Sequence, residues 1–129
     1  MKRLTLLLLM KVSTNVMAEW MLIGENNAGE FMIYVDTAAL IKKEDKVKIW
    51  YLNDFKRTQV YERDRYLSEK VQKEYDCGER QFRMLAVLWL LGNMGNGRSV
   101  WWGYKIHQWM PVSPASIDEA LFKVACGIK

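Results

Sequence analysis

The side chains best suited to catalysis or metal binding are few and widely spaced along the chain. There is one histidine, His107, and there are two cysteines, Cys77 and Cys126. This set cannot supply the clustered histidine and cysteine ligands of a zinc site. No Gly-x-Ser-x-Gly elbow accompanies a serine either. The sequence therefore predicts a protein that is not an enzyme and that holds no cofactor and no metal.

The paired carboxylates have structural interpretations. Glu44-Asp45 falls in a charged turn, and Asp118-Glu119 falls at the start of a predicted helix. Glu74 and Asp76 share one face of a predicted strand with Lys70, which indicates a solvated ladder of ion pairs across strands. None of these pairs has the features expected of a general acid and base.

The glycine-rich stretch over residues 92–97 is the remaining motif that could bind a ligand. A loop of this kind after a strand can hold phosphate, but a P-loop also needs a Lys-Ser/Thr pair and a following helix. Neither is present here. Asn96-Gly97 instead predicts a type I′ turn between two strands of a hairpin.

Aromatic residues next to this loop are the best candidates for binding a partner. Side chains alternate between the two faces of a strand, so Trp101 and Trp102 cannot both enter a core on one side of a sheet. At least one of them is expected at the surface, or under a helix or a second subunit; core filling is the alternative. Aromatic side chains dominate interface energies. The candidate partner-binding residues are Trp101, Trp102, Tyr104 and Trp109.

A basic segment offers a second, weaker candidate surface. Eight lysines and arginines lie between Lys42 and Arg65, but they are interleaved with Glu44, Asp45, Glu62 and Asp64. Mixed charges of this kind are typical of an ordinary solvated surface. An anionic partner such as a glycan or an acidic protein is the alternative.

The first residues have the pattern of a secretory signal peptide. Lys2-Arg3 gives a positive start, residues 4–10 form an apolar core, and Val16-Met17-Ala18 offers a cleavage site. Lys11 limits the apolar core to about seven residues, the lower end for such segments. The alternative is that this segment forms an N-terminal strand or helix of the core.

Cleavage before Glu19 divides the chain into a signal peptide, residues 1–18, and a single domain, residues 19–129. No cysteine lies near the cleavage site, so the sequence predicts no lipid anchor. No apolar run reaches the roughly 20 residues that span a bilayer. We therefore expect an exported protein, periplasmic or secreted, with no membrane span after cleavage.

Export also changes how the charge and the cysteines are interpreted. The domain keeps 16 basic and 15 acidic residues, so its net charge is +1 rather than the +4 of the whole chain. That balance gives no support to nucleic-acid binding. In an oxidising compartment, Cys77 and Cys126 are expected to form a disulfide. Two buried free thiols are the alternative.

The domain consists mainly of segments with the alternation of β-strands. Thr37 is a candidate cap for a helical turn over 37–41, and the polar stretch 56–64 is expected to be a mobile connection. The predicted strands are 20–23, 31–36, 47–55, 66–77, 81–91 and 100–104.

The last segment changes to a helical period. Ser116 and Glu119 form a capping box, and Gly127 is a natural helix terminator. The apolar stripe consists of Ile117, Ala120, Leu121, Val124 and Ala125. Strands followed by one helix predict an α+β fold, a six-stranded antiparallel sheet with a C-terminal helix packed on one face. The Cys77–Cys126 bond would link that helix to the sheet.

An ordered set of short motifs resembles the surface-adhesin protein E family of small exported bacterial proteins. The motifs extend from about residue 19 to 127 and include both cysteines. They are Glu19-Trp20, Tyr34-Val35-Asp36, Trp50-Tyr51-Leu52-Asn53-Asp54, Tyr66-Leu67-Ser68, Glu74-Tyr75-Asp76-Cys77, Glu79-Arg80, Gly92-Asn93-Met94-Gly95, Trp109-Met110-Pro111-Val112, Glu119-Ala120-Leu121 and Ala125-Cys126.

The resemblance implies the same fold and an adhesive role. It implies a protein partner, a host matrix protein or an envelope component, and a homodimer. The predicted function is that of an exported, non-enzymatic envelope protein that binds another protein. Two alternatives remain: a periplasmic carrier or sensor holding a small ligand between sheet and helix, and an inhibitor of an exported enzyme.

Overall fold

The computed structural model describes residues 18–26 and 28–128, so all of the predicted signal peptide except Ala18 lies outside the described residues. Most of the described chain is extended. The strands are β1 (Trp20–Asn26), β2 (Phe31–Asp36), β3 (Ile41–Lys43), β4 (Lys46–Tyr61), β5 (Asp64–Asp76), β6 (Gln81–Leu90), β7 (Ser99–Gly103) and β8 (Met110–Pro111). The helix is α1 (Ile117–Cys126).

Six of these strands form one continuous antiparallel sheet in the order β1-β2-β4-β5-β6-β7. The two shortest strands are additions that the sequence analysis missed, because β3 pairs with β4 and β8 pairs with β6. The predicted α+β class, the six antiparallel strands and the single C-terminal helix are confirmed.

The helix covers one half of one sheet face. Alternate residues of β2, β4 and β5 point toward it, among them Val35, Ile49 and Tyr75, which are completely buried. The helix contributes Leu121 and Phe122 to the same core. The sheet–helix interface is therefore filled by apolar side chains.

The ends of α1 follow the predicted signals with one difference. The Ser116 hydroxyl accepts a hydrogen bond from the Glu119 N–H (3.1 Å), but the Glu119 carboxylate accepts from the Ala115 N–H (2.9 Å) rather than from Ser116. Gly127 ends the helix with a φ of 68°, and the Ile128 N–H bonds to the Lys123 carbonyl. Both predicted helix ends are thus confirmed.

The disulfide between Cys77 and Cys126 ties the last residue of α1 to the end of β5. The predicted stripe omitted Phe122, which is 1% exposed and near the centre of the buried face. Cys126 lies about 40° from Phe122 around an ideal helix. It therefore reaches the sheet although it is on the opposite side from Ile117.

Three local predictions were wrong. Residues 56–64 belong to a long hairpin in which β4 and β5 stay paired as far as Tyr61 and Asp64, with a register shift between Asp54 and Gln59. No helical turn forms at 37–41; the Asp36 carboxylate instead accepts the Ala38 N–H. The connection between β6 and β7 has positive φ values at Met94, Gly95 and Gly97, whereas Asn96 is extended, so Asn96-Gly97 does not form a type I′ turn.

Candidate functional site

The predicted partner-binding aromatics lie on or after β7, an edge strand of the sheet. Trp101 is 40% exposed and lies on the face that carries the helix, whereas Trp102, 60% exposed, lies on the opposite face. Tyr104 is 66% exposed just beyond the strand. Trp109 is half-buried, with its ring 4.4 Å from the guanidinium carbon of Arg83. The structure thus places Trp101, Trp102 and Tyr104 at one edge of the sheet, but not all on one face.

Trp101 is one end of a row of aromatic side chains on the half of the sheet face that the helix leaves uncovered. Neighbouring rings are 4.3 to 5.9 Å apart between centroids, and the closest pair, Tyr66 and Trp89, is stacked. The aromatic row consists of Phe31, Phe55, Tyr66, Trp89 and Trp101.

Polar groups hold the centre of this row in place. The Trp89 indole N–H donates to one Glu69 carboxylate oxygen (3.0 Å), and the Asn53 amide donates to the other (3.0 Å). Burial and the Glu69 carboxylate raise the pKa of Tyr66. The Glu69 contacts fix the Trp89 ring in the orientation that Tyr66 and Trp101 pack against.

A shallow hollow of about 500 Å³ opens at the exposed end of the aromatic row. Tyr61, Trp89 and Trp101 supply its apolar walls, and Glu62 and Asp64 supply acidic groups. Sequence analysis missed Tyr61 and Trp89 as surface aromatics. The signal for Tyr61 was the pair Val60-Tyr61, a β-branched and an aromatic residue at the end of an otherwise polar stretch.

A buried polar cluster connects the helix to the sheet beside the core. The Lys73 ammonium pairs with the Asp118 carboxylate (2.8 Å), and the Tyr75 hydroxyl donates to the same oxygen (2.7 Å). Only 7% of the Lys73 side chain is exposed. Its ammonium lies 4.6 Å from the centroid of the Phe82 ring. This arrangement stabilises a buried cation by a carboxylate and an aromatic face.

Burial around this cluster raises the pKa values of the two tyrosines next to it. The pKa of Tyr75 is raised mainly by burial, and further by the Asp118 charge and by the hydrogen bond to Asp118. Burial and the same charge also raise the pKa of Tyr51. At the helix start, the hydrogen bond from the Ala115 N–H lowers the pKa of Glu119. Tyr75 therefore stays protonated at neutral pH and acts as a donor rather than a base.

The prediction of a solvated ladder of ion pairs on β5 was wrong. The carboxylates are buried, and they pair with residues of other strands rather than with Lys70. Glu74 is buried and pairs with Arg83 (2.7 Å), and Asp76 is buried near Lys46 (3.7 Å). Asp76 also accepts the N–H groups of the following turn. Lys70 takes part in none of these pairs. Arg83 in turn packs against the Trp109 ring, with its guanidinium carbon 4.4 Å from the ring centroid.

The residues considered for catalysis are dispersed. His107 is exposed, and its backbone N–H donates to the Met84 carbonyl (3.0 Å). Over residues 18–26 and 28–128, no group of three or more His, Cys, Asp or Glu side chains is arranged to hold a metal ion. Both cysteines are in the disulfide.

The alternative of a ligand held between sheet and helix does not fit the filled interface described above. No tryptophan on the described strands lines a space between sheet and helix: Trp89 belongs to the aromatic row, and Trp50 and Trp102 lie on the face without the helix. A groove lined by Trp50 exists on that second face.

These features define a class of small α+β domain whose single helix is disulfide-bonded to an antiparallel sheet. The sequence model of the family described as surface-adhesin protein E matches residues 20–127. The chain belongs to the surface-adhesin protein E family. Its members are described as surface adhesins, and hence as exported proteins.

Solved structures of Haemophilus influenzae protein E have the same fold. Crystal form II is 12% identical, with a TM-score of 0.66 over 92% of this chain and 96% of that one. The structure from a non-typeable strain is 13% identical, with a TM-score of 0.66 over 92% and 82% of the two chains. No curated protein matches the chain significantly in sequence. Within the described residues, no helix combines the length and apolarity that a membrane crossing requires.

Proposed function

We propose that the protein is a non-enzymatic binding module of the cell envelope, exported by a signal peptide over residues 1–18 and acting as the single domain 19–129. Its partner is another protein, a host matrix protein or an envelope component. It acts without a cofactor, a lipid anchor or nucleic acid, in the periplasm or after secretion, as a monomer or a homodimer. Family membership supports the adhesive role.

The observation that carries the proposal is the cluster of exposed aromatic side chains at the β7 edge. Trp101, Trp102 and Tyr104 are each at least 40% exposed. Tryptophan and tyrosine are the side chains most enriched at the energetic centres of interfaces. The proposed binding surface consists of these three residues; Trp109, which packs on Arg83 further along β6, is a separate candidate contact.

Binding by this surface predicts different effects of two neighbouring substitutions. Trp101→Ala should lower both stability and affinity, because the Trp101 ring packs against Trp89 and over Gly103. Trp102→Ala should leave the melting temperature unchanged and weaken binding about tenfold or more, as loss of an interface centre does. Affinity for immobilised host matrix proteins and thermal melting would be measured for each variant.

Leu22→Ala is the matched control for this experiment. Leu22 is a large apolar side chain, 51% exposed, on β1 at the opposite edge of the sheet. It should bind like the unaltered protein. Full affinity of Trp102→Ala, or an equal loss in Leu22→Ala, would show that the β7 edge is not the binding surface.

Export predicts a specific mass for the protein recovered from a periplasmic extract. After alkylation without reductant, the intact mass should lack residues 1–18 and carry no alkyl group, because both thiols are in the disulfide. A full-length mass with two alkylated thiols would contradict export to an oxidising compartment.

A further inference from the structure

The sheet face opposite the helix has an apolar surface of its own. The register of the strands aligns one row of side chains across this face from edge to edge. Five of the six are apolar or aromatic, and the sixth is a lysine near the middle. The row is Leu22, Tyr34, Leu52, Lys70, Leu88 and Trp102.

A groove of about 370 Å³ lies beside this row. That volume is at the lower end of the range for small-molecule sites, about 300–1,000 Å³. The walls are mainly indole, phenol and aliphatic groups, with one cation and one carboxylate. The groove is lined principally by Trp20, Asp36, Trp50, Lys70, Leu88 and Tyr104. Ala18 also lines it here and is absent from the domain that begins at Glu19.

Lys70 is the unusual member of this set. Its side chain is half-buried, yet among the described residues its ammonium has no carboxylate within 4.0 Å and no hydrogen-bond acceptor. By contrast, Lys73 on the other face of the same strand is paired with Asp118. A cation in a partly apolar site is stabilised when an anion joins it.

The position of the Lys70 stem is fixed by its surroundings. A side chain on Gly95 would bring its Cβ within 2.7 Å of Lys70 Cε and 3.5 Å of Leu52 Cδ1. Gly95 also adopts a positive φ of 73°, which favours glycine. The loop before β7 therefore packs closely against the end of the Lys70 side chain, which also lines the groove.

Asp36 limits the charge that the groove can accept. One of its carboxylate oxygens already accepts hydrogen bonds from the N–H groups of Glu19 (3.1 Å) and Ala38 (3.0 Å). In the domain that begins at Glu19, the Glu19 nitrogen is the terminal amino group, so the Asp36 carboxylate already has a basic partner. Lys70 is then the cation of the groove without a partner, which suits a ligand with a single negative charge and an uncharged body.

We propose that this groove binds a small amphipathic carboxylate. The ligand's carboxylate pairs with the Lys70 ammonium, and its apolar body lies against Trp50 and Leu88. The groove shares Tyr104 with the surface proposed for protein partners, whereas Trp101 of that surface lies on the opposite face of the sheet.

Decanoate and 2-naphthoate are suitable probes, titrated calorimetrically into protein purified from the periplasm. At least one of the two carboxylates should bind saturably. The matching neutral alcohol, decan-1-ol or 2-naphthalenemethanol, should bind with an affinity lower by about tenfold or more, because it lacks the charge. Lys70→Met keeps the apolar stem and should lose about the same factor. Lys48→Met, an exposed lysine on the same face, is the matched control and should bind normally.

The proposal is overturned if neither carboxylate saturates, if Lys70→Met binds as tightly as the unaltered protein, or if the neutral alcohol binds equally well. Unchanged melting of Lys70→Met ensures that a loss of binding reports on the ligand contact. Trp101→Ala should leave carboxylate binding intact, because Trp101 lies on the other face of the sheet. A loss of carboxylate binding equal to that of Lys70→Met would also overturn the proposal.

Discussion

Replacing Asp118 by alanine should lower the free energy of unfolding by about 3–5 kcal/mol, the usual cost of leaving one member of a buried ion pair without its partner. The loss is large because one oxygen of Asp118 accepts from both Lys73 and Tyr75. Lys73 cannot reach water without disturbing the core. Urea unfolding followed by circular dichroism measures the change.

The double variant Lys73→Met/Asp118→Ala tests the physical cause. Methionine keeps most of the lysine stem and removes the charge, so the double variant should recover much of the lost stability. Glu30→Ala is the control for a surface pair, since its partner Arg57 is largely exposed; it should cost less than about 1 kcal/mol. A double variant no more stable than Asp118→Ala would contradict the buried-charge explanation.

Cys126→Ser should lower the stability by about 4 kcal/mol, the chain-entropy value for a loop of roughly 50 residues. Domains of this size are typically stable by only about 5–15 kcal/mol. The lost bond would therefore remove a large share of the total. The midpoint of urea unfolding should fall, and helix signal should be lost before or together with the sheet.

Reduction provides the control for this substitution. The unaltered protein in dithiothreitol should unfold at nearly the same urea concentration as Cys126→Ser. The variant itself should be insensitive to reductant, because it has no disulfide to lose. An unchanged melting temperature in Cys126→Ser would contradict a stabilising role for the bond.

The parts of the fold that local signals determine could be predicted from the sequence. Ser116 and Gly127 mark the two ends of the helix because capping depends on residues a few positions apart. Strand alternation likewise places Trp101 and Trp102 on opposite faces. The disulfide followed from the number of cysteines and the predicted compartment.

The parts that depend on distant contacts were missed. Lys73 has the strand parity of the core, but a lysine there is interpretable only with Asp118, 45 residues later in the chain. The pairing of Glu74 with Arg83 likewise depends on which strands are neighbours. The groove around Lys70 is lined by residues of five strands and by Tyr104, which follows β7, so no short segment of the sequence contains its signal.

The order of elements along the chain has a consequence for how the protein reaches its folded form. The sheet can pair as soon as β7 has been synthesised, but the apolar face carrying Val35 and Ile49 stays open until the last turn of α1 arrives. Such partly covered intermediates are prone to aggregate. Cys77 must also wait as a free thiol until Cys126 emerges. With one cysteine pair, a wrong bond within the chain is impossible, and the hazard is a bond between the Cys77 thiols of two nascent molecules.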